Sequence, residues 1–155
     1  MALVLLTEHS MTQTIFVLNG PNLNLLGTRE PGIYGAKTLT DIETDCKVAG
    51  GELGLEIDFR QSNHEGVLID WLHEANGKAA GVMLNAGAFT HTSLALHDAI
   101  RAISIPVVEL HITNVHARED FRHKSLIAPA VKGVICGFGP HSYILALHAL
   151  KNLTA

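Results

Sequence analysis

Short apolar runs alternate along this chain with longer amphipathic stretches, and the spacing of apolar positions switches between strand-like and helix-like each time. Residues 14–18 form a β-branched and aromatic run stopped by Asn19-Gly20-Pro21, so they predict a first strand. Ile42, Cys46, Ala49 and Leu53 recur at helical spacing. A capping box at Thr40-Asp41-Ile42-Glu43 is expected to open that helix and Gly54 to close it. Residues 55–59 alternate as a second strand. Ser62-Asn63-His64-Glu65 reads as a second capping box, for a helix with Val67, Leu68, Trp71, Leu72 and Ala75 on one face. Residues 79–84 are a continuous apolar strand ending in a turn at Asn85-Ala86-Gly87, and a helix is expected from about Thr90 to Ala102. Pro106 introduces a fourth strand over residues 107–110, and residues 131–136 read as a fifth. Gly139-Pro140 precede a last helix ending near Leu153.

Strand and helix thus alternate five times. Mostly apolar strands imply a parallel sheet covered on both faces with right-handed crossovers. The expected architecture is α/β: a three-layer, flavodoxin-like, doubly wound five-stranded parallel sheet with order 2-1-3-4-5. Ligands in such sheets bind beyond the carboxyl ends of the strands. That rule singles out residues 19–34, 60–63, 85–92, 111–122 and 137–141.

Composition narrows the class. The 155 residues are 47% hydrophobic and 17% charged, enough for a packed core in one domain, residues 12–155. A net charge of −4 argues against nucleic acid or an anionic membrane as partner. Cys46 and Cys136 lie in unrelated segments and signal neither a disulfide framework nor a zinc site. Residues 1–11 read as a loose extension, with Met11 an alternative start. The apolar stretch from Ala2 to Leu6 is shorter than the roughly 7–15 residues of a secretory signal and lacks its basic flank. No run nears the roughly 20 apolar residues of a membrane span, so a cytoplasmic location is expected.

The strand ends carry the chemistry. The first loop, Asn19 to Gly35, is long and contains Gly27 and Gly32. It has neither GxxxxGK[ST] nor GxGxxG spacing, so no nucleotide cofactor is expected. Within it, Arg29 and Tyr34 admit two readings. A guanidinium beside the phenol stabilises the phenolate and makes Tyr34 a general base; alternatively Tyr34 packs over the loop and Arg29 faces solvent. At the third strand end, Asn85 offers an amide donor, Gly87 allows close approach to backbone, and His91 sits beside a helix N-terminus suited to anions. Thr90 reads equally as a plain cap, and Asp98 as a solvated carboxylate. At the fourth strand end, Glu109 and His111 share a strand face, where the carboxylate can fix the imidazole as a general acid. Arg118 and Arg122, four apart, suit a clamp on a carboxylate or an ordinary basic pair. His111 and His116 lack a third ligand, so no metal is expected.

Together these segments resemble the type II 3-dehydroquinate dehydratases over residues 14–150. The resemblance rests on Asn19-Gly-Pro-Asn-Leu-Asn-Leu-Leu-Gly with Arg29-Glu-Pro and Tyr34-Gly, and on Arg60-Gln-Ser-Asn-His-Glu-Gly66. It is completed by Leu84-Asn-Ala-Gly with Thr90-His-Thr-Ser93, and Glu109-Leu-His-Ile-Thr-Asn with His116-Ala-Arg-Glu-Asp-Phe-Arg122. It implies reversible anti dehydration of 3-dehydroquinate to 3-dehydroshikimate through an enolate, without metal, cofactor or Schiff base. This step is common to aromatic biosynthesis and quinate catabolism. By motif position, Tyr34 resembles the base and Arg29 the group keeping it ionised. His111 resembles the acid, oriented by Glu109, and Asn22 the residue at the enolate-side water. Asn85, His91, Ile112, Thr113 and Arg122 match substrate-binding positions. Asp98 matches one supplied by a neighbouring subunit, and the resemblance implies trimers assembled into a homododecamer. The chain departs from the family's usual pattern at Thr113, for serine; at Leu126, for tyrosine; and at His141-Ser142, for glutamine-glycine.

Two rival classes share the architecture. An FMN-binding electron carrier would need a phosphate loop. A phospho-acceptor domain would need acidic residues at the first strand end, where this chain has Asn19-Gly20.

Overall fold

The computed structural model describes residues 11–28 and 30–155. The expected N-terminal extension, save Met11, and Arg29 lie outside the described residues. Among the described residues a five-stranded, all-parallel sheet has order β2-β1-β3-β4-β5, the order the sequence predicts. The strands are β1 (Gln13–Asn19), β2 (Leu55–Gln61), β3 (Gly81–Asn85), β4 (Val107–His111) and β5 (Gly133–Cys136). The helices are α1 (Pro31–Tyr34), α2 (Leu39–Glu52), α3 (Glu65–Lys78), α4 (Leu94–Ala102) and α5 (His141–Thr154).

Alternation along the strands divides the core in two. Ile15 and Val17 of β1 face α2 and α5, joining Ile42, Cys46, Met83, Leu110, Tyr143 and Leu147. Phe16 and Leu18 face α3 and α4, joining Leu68, Leu72, Leu84, Leu96 and Ile100. Each of these side chains is almost wholly withdrawn from water. Full burial of one such side chain contributes about 1.5–3 kcal/mol, so the two faces fix the strand register firmly.

Three helix starts differ from expectation. α2 opens at Thr38, not Thr40. The Thr38 hydroxyl accepts the Asp41 N–H at 3.1 Å, and the Asp41 carboxylate accepts the Thr38 N–H at 3.0 Å. Two overlapping boxes fit the sequence; the earlier one adds two residues of helix. Ser62 does not cap α3. Its hydroxyl accepts the N–H of His64 only two residues on, at 3.0 Å, and the helix starts behind His64. Finally, Gly87–His91 form a tight 3-10 turn rather than the start of a helix. Ser93, which accepts the Leu96 N–H at 2.9 Å, caps α4. α2 ends as expected, Gly54 taking the left-handed φ of 71°.

Candidate active site

The carboxyl ends of β1, β3 and β4 border one cavity. Its wall includes Asn22, Tyr34, Asn85, His91, His111, Ile112, Thr113, Arg118 and Arg122. The loops after β1 and β3 are pinned together, because the Gly20 N–H donates to the Asn85 carbonyl at 2.8 Å. Gly20 is required there: a Cβ would lie 2.5 Å from the Ala86 carbonyl oxygen.

β4 ends in an acid–imidazole pair. Glu109 and His111 lie two apart on one strand face, 1% and 6% exposed, with His111 Nε2 3.1 Å from Glu109 Oε2. A carboxylate this deeply buried is costly unless its lone pairs are met. Its second oxygen accepts the Ser125 hydroxyl at 2.7 Å, and Ser125 Oγ accepts the Ala128 N–H at 3.0 Å. The pairing with Glu109 engages Nε2, so Nδ1 is the ring nitrogen left for the cavity that His111 lines. The His91 ring lies 6.4 Å from that of His111, nearly parallel at 17°. His91 Nδ1 meets the Lys124 carbonyl at 2.8 Å; a carbonyl only accepts, so this nitrogen carries the proton.

A second buried network holds Asn85. The Tyr143 hydroxyl, fully enclosed, donates to Asn19 Oδ1 at 2.7 Å and accepts from Asn85 Nδ2 at 3.0 Å. Asn19 Nδ2 in turn donates to the Arg60 carbonyl at 3.0 Å, and Asn85 Oδ1 accepts the Gly87 N–H at 3.3 Å. Burial pushes the Tyr143 phenol well above its usual range, so it stays protonated. Because Asn19 consumes the Tyr143 proton, only the amide nitrogen of Asn85 can face that hydroxyl.

Tyr34 closes α1 and is half-buried. The Arg118 guanidinium carbon lies 5.3 Å from the centre of its ring, within cation–π range. Glu119 stands between the two arginines, 2.9 Å from Arg122 Nε and 3.8 Å from Arg118 Nε. Its own backbone N–H, then Arg122 and Arg118, hold its carboxyl below the usual range. Asn22 adopts the left-handed φ of 68°, and its N–H donates to Asn63 Oδ1 at 3.0 Å.

The cavity therefore gathers Asn22, Tyr34, Asn85, His91, His111, Ile112, Thr113 and Arg122, with Glu109 directly behind. Asp98 does not join it; the side chain is exposed on α4. Sequence reasoning missed Ser125 and Tyr143. No local pattern marks Ser125, whose role depends on a fold-back of 16 residues onto Glu109. Tyr143 lies 124 residues from Asn19 and reads as an ordinary apolar position of α5. Among the described residues no cluster of His, Cys, Asp or Glu could hold a metal ion, and no helix is long and apolar enough to cross a membrane.

Comparison with known proteins agrees across the chain. The sequence model of the family described as dehydroquinase class II matches residues 13–151. A 3-dehydroquinate dehydratase of Rhizobium johnstonii is 84% identical over 145 residues, 94% of this chain and 100% of the relative. 3-Dehydroquinate dehydratase 1 of Agrobacterium fabrum is 70% identical over the same shares. The crystal structure of a type II dehydroquinase from Propionibacterium acnes superimposes with a TM-score of 0.88 at 42% identity, covering 92% of this chain and 98% of that one.

Proposed function

This chain belongs to the class II dehydroquinase family, and from that premise we propose how it carries out the reaction its relatives are named for, the dehydration of 3-dehydroquinate. The reading is an anti elimination through an enolate, with Tyr34 as base and His111 as acid. The observation that carries it is the meeting of a tyrosine and a carboxylate-backed imidazole on one cavity wall.

The C2 proton of 3-dehydroquinate lies next to the C3 ketone and is only weakly acidic. Ionised Tyr34 takes that proton, and the electron pair moves into an enolate. The enolate then expels the C1 hydroxyl, which leaves as water with a proton from His111. Elimination gives the conjugated enone 3-dehydroshikimate, and proton exchange with solvent resets both groups. A free phenol, with a pKa near ~10, is a poor base at neutral pH, so cations must favour the phenolate. Arg118 over the Tyr34 ring supports this, and Arg29 is assigned the same duty from its place in the motif. Glu109 holds the imidazole in place as the acid.

The substrate carboxylate and hydroxyls are assigned to Asn85, His91, Arg122, the Thr113 hydroxyl and the backbone of Ile112 and Thr113. Their common place on the cavity wall supports the set. Asn22 is assigned to a water on the enolate side. Asp98, exposed on α4, is assigned to the cavity of a neighbouring subunit in a dodecamer built from trimers.

Enone formation followed in the ultraviolet tests the reading. Tyr34→Phe and His111→Ala each lower kcat by about 10²- to 10⁴-fold, the usual contribution of a general base or acid, while circular dichroism is unchanged. Borohydride added with substrate leaves activity intact, since no imine forms. Asp98→Ala raises KM in the assembled oligomer. Full activity of either Tyr34→Phe or His111→Ala would remove the assigned roles, and a fully active isolated monomer would remove the shared site.

A further inference from the structure

We propose that Ser125 is a positioning residue for the acid: its hydroxyl holds Glu109 as a carboxylate and so keeps the proton on His111. The inference rests on the reading of His111 as the acid. It concerns where a proton resides in the resting enzyme, which is measured without turnover.

The Ser125 hydroxyl is placed to donate to Glu109. Ser125 Oγ accepts the Ala128 N–H at 3.0 Å, so its own hydrogen is available for Glu109 Oε1 at 2.7 Å. A hydroxyl donating to an ionised oxygen is a strong, charge-assisted bond, and it favours the ionised form. The serine is fixed from both sides. The Lys124 carbonyl meets His91 Nδ1 at 2.8 Å, the Leu126 N–H donates to the Thr90 carbonyl at 2.8 Å, and the Leu126 carbonyl meets His97 Nδ1 at 2.8 Å. Two bonds to the segment between β3 and α4, and one to α4 itself, thus set the hydroxyl over the carboxylate.

The pair needs this help. Glu109 and His111 share a buried site, where one proton can sit on either partner. In the charged arrangement the imidazolium presents an acidic Nδ1–H to the cavity. In the neutral arrangement the carboxylic acid donates to Nε2, and the Nδ1–H that remains is far too weak an acid to protonate a departing hydroxyl. The cavity wall offers His111 no carboxylate of its own: none of its described lining residues is Asp or Glu, and Glu119 is taken up by Arg122 and Arg118. The positive charge on His111 therefore depends on Glu109 behind the wall, and the charge on Glu109 depends on the Ser125 hydroxyl.

The test compares Ser125→Ala with Ser125→Thr, which keeps the hydroxyl. Steady-state kinetics with 3-dehydroquinate and ¹⁵N spectra of histidine-labelled, ligand-free protein at one pH near neutrality are the readouts. Ser125→Ala is expected to lower kcat by about 10- to 100-fold, part of the usual general-acid contribution, with KM unchanged. It is also expected to move the His111 ring signals from the imidazolium toward the neutral pattern. Ser125→Thr should restore both. Should the alanine variant fail to fold, Ser125→Cys, similar in size but a weak donor, takes its place. An unchanged His111 signal in the hydroxyl-less variant overturns the proposal, as does a threonine variant as impaired as the alanine one. His111→Ala retaining activity would instead defeat the acid assignment and leave the proton measurement standing.

Discussion

Removing one oxygen atom from the core tests whether the Asn19–Tyr143–Asn85 network holds the site together. Tyr143→Phe keeps the ring packed against Phe59 and the α2–α5 core but deletes the hydroxyl. Asn19, wholly buried, keeps its bond to the Arg60 carbonyl and loses the donor to Oδ1. Asn85, 3% exposed, keeps the Gly87 N–H and loses the acceptor for Nδ2. Each group left without a partner costs about 1–3 kcal/mol, and about as much is recovered because no phenol oxygen is desolvated. The net destabilisation is therefore about 1–3 kcal/mol. Urea unfolding should show a lower midpoint with an unchanged slope. Catalysis adds a second signature: Asn85 loses the shorter of the two contacts that set which way its amide faces, so KM rises more than kcat falls. Combining Tyr143→Phe with Asn19→Val removes both ends of one bond, and the two penalties should fall short of additivity by at least about 0.5 kcal/mol. A Tyr143→Phe protein with parental unfolding midpoint and KM would refute the reasoning, since the hydroxyl would then hold nothing.

Two predictions concern titrating groups away from the cavity. Hydrogen bonds from Arg60 and then Lys78 hold the Glu74 carboxyl down at about 2, against an ordinary value of 4.5. A lowered value contributes stability above pH 4.5 that is lost as pH falls toward 2. Thermal melts of the parent and Glu74→Gln should therefore differ at neutral pH and converge through that acid window; a gap that persists at the lowest pH would contradict the ion-pair account. Burial pushes the Cys46 thiol up to about 12, whereas Cys136 is partly exposed. Iodoacetamide at pH ~8, near the usual thiol value, should alkylate Cys136 alone in the folded protein and reach Cys46 only after unfolding. Mass spectrometry distinguishes the two, and labelling of native Cys46 would mean the α2 face opens readily.

Much of the architecture was legible because it rests on local periodicity. Apolar runs such as Ile15–Leu18 and the wholly buried β3 mark strands covered on both faces, and 2-1-3-4-5 is the order of a flavodoxin-like, doubly wound sheet. Helix starts were less legible because several side chains competed for one role. Thr38 and Thr40 both head plausible capping boxes, and Ser62 turns its hydroxyl to a nearer N–H. The cavity-lining residues singled out from the sequence were found because each falls at a strand end or in the loop that leaves it. Ser125 and Tyr143 were not, because their partners are set by tertiary folding. Whether a serine in an irregular segment meets solvent or a buried carboxylate depends on where bonds such as Leu126 N–H to Thr90 place it.

The division of labour between elements fits what the anti elimination we propose would demand. Base and acid must act on opposite faces of one ring, so they cannot come from adjacent positions of a single strand. In this sheet β1 lies between β2 and β3, and the loops that leave the carboxyl ends of β1 and β3 part at that switch point and open a crevice. The loop after β1 carries Tyr34, while His111 stands on β4, across β3 from it in the sheet. The two tyrosines of the chain then have opposite environments for opposite duties. Tyr143 is sealed in the core, where burial keeps its phenol neutral to orient Asn85. Tyr34 is at the cavity wall beneath the Arg118 guanidinium, the place the proposed base requires. Interchanging those surroundings would leave the proposed elimination without a base and Asn85 without its anchor, so the surroundings of each phenol, more than the residue type, carry the assignment of duties.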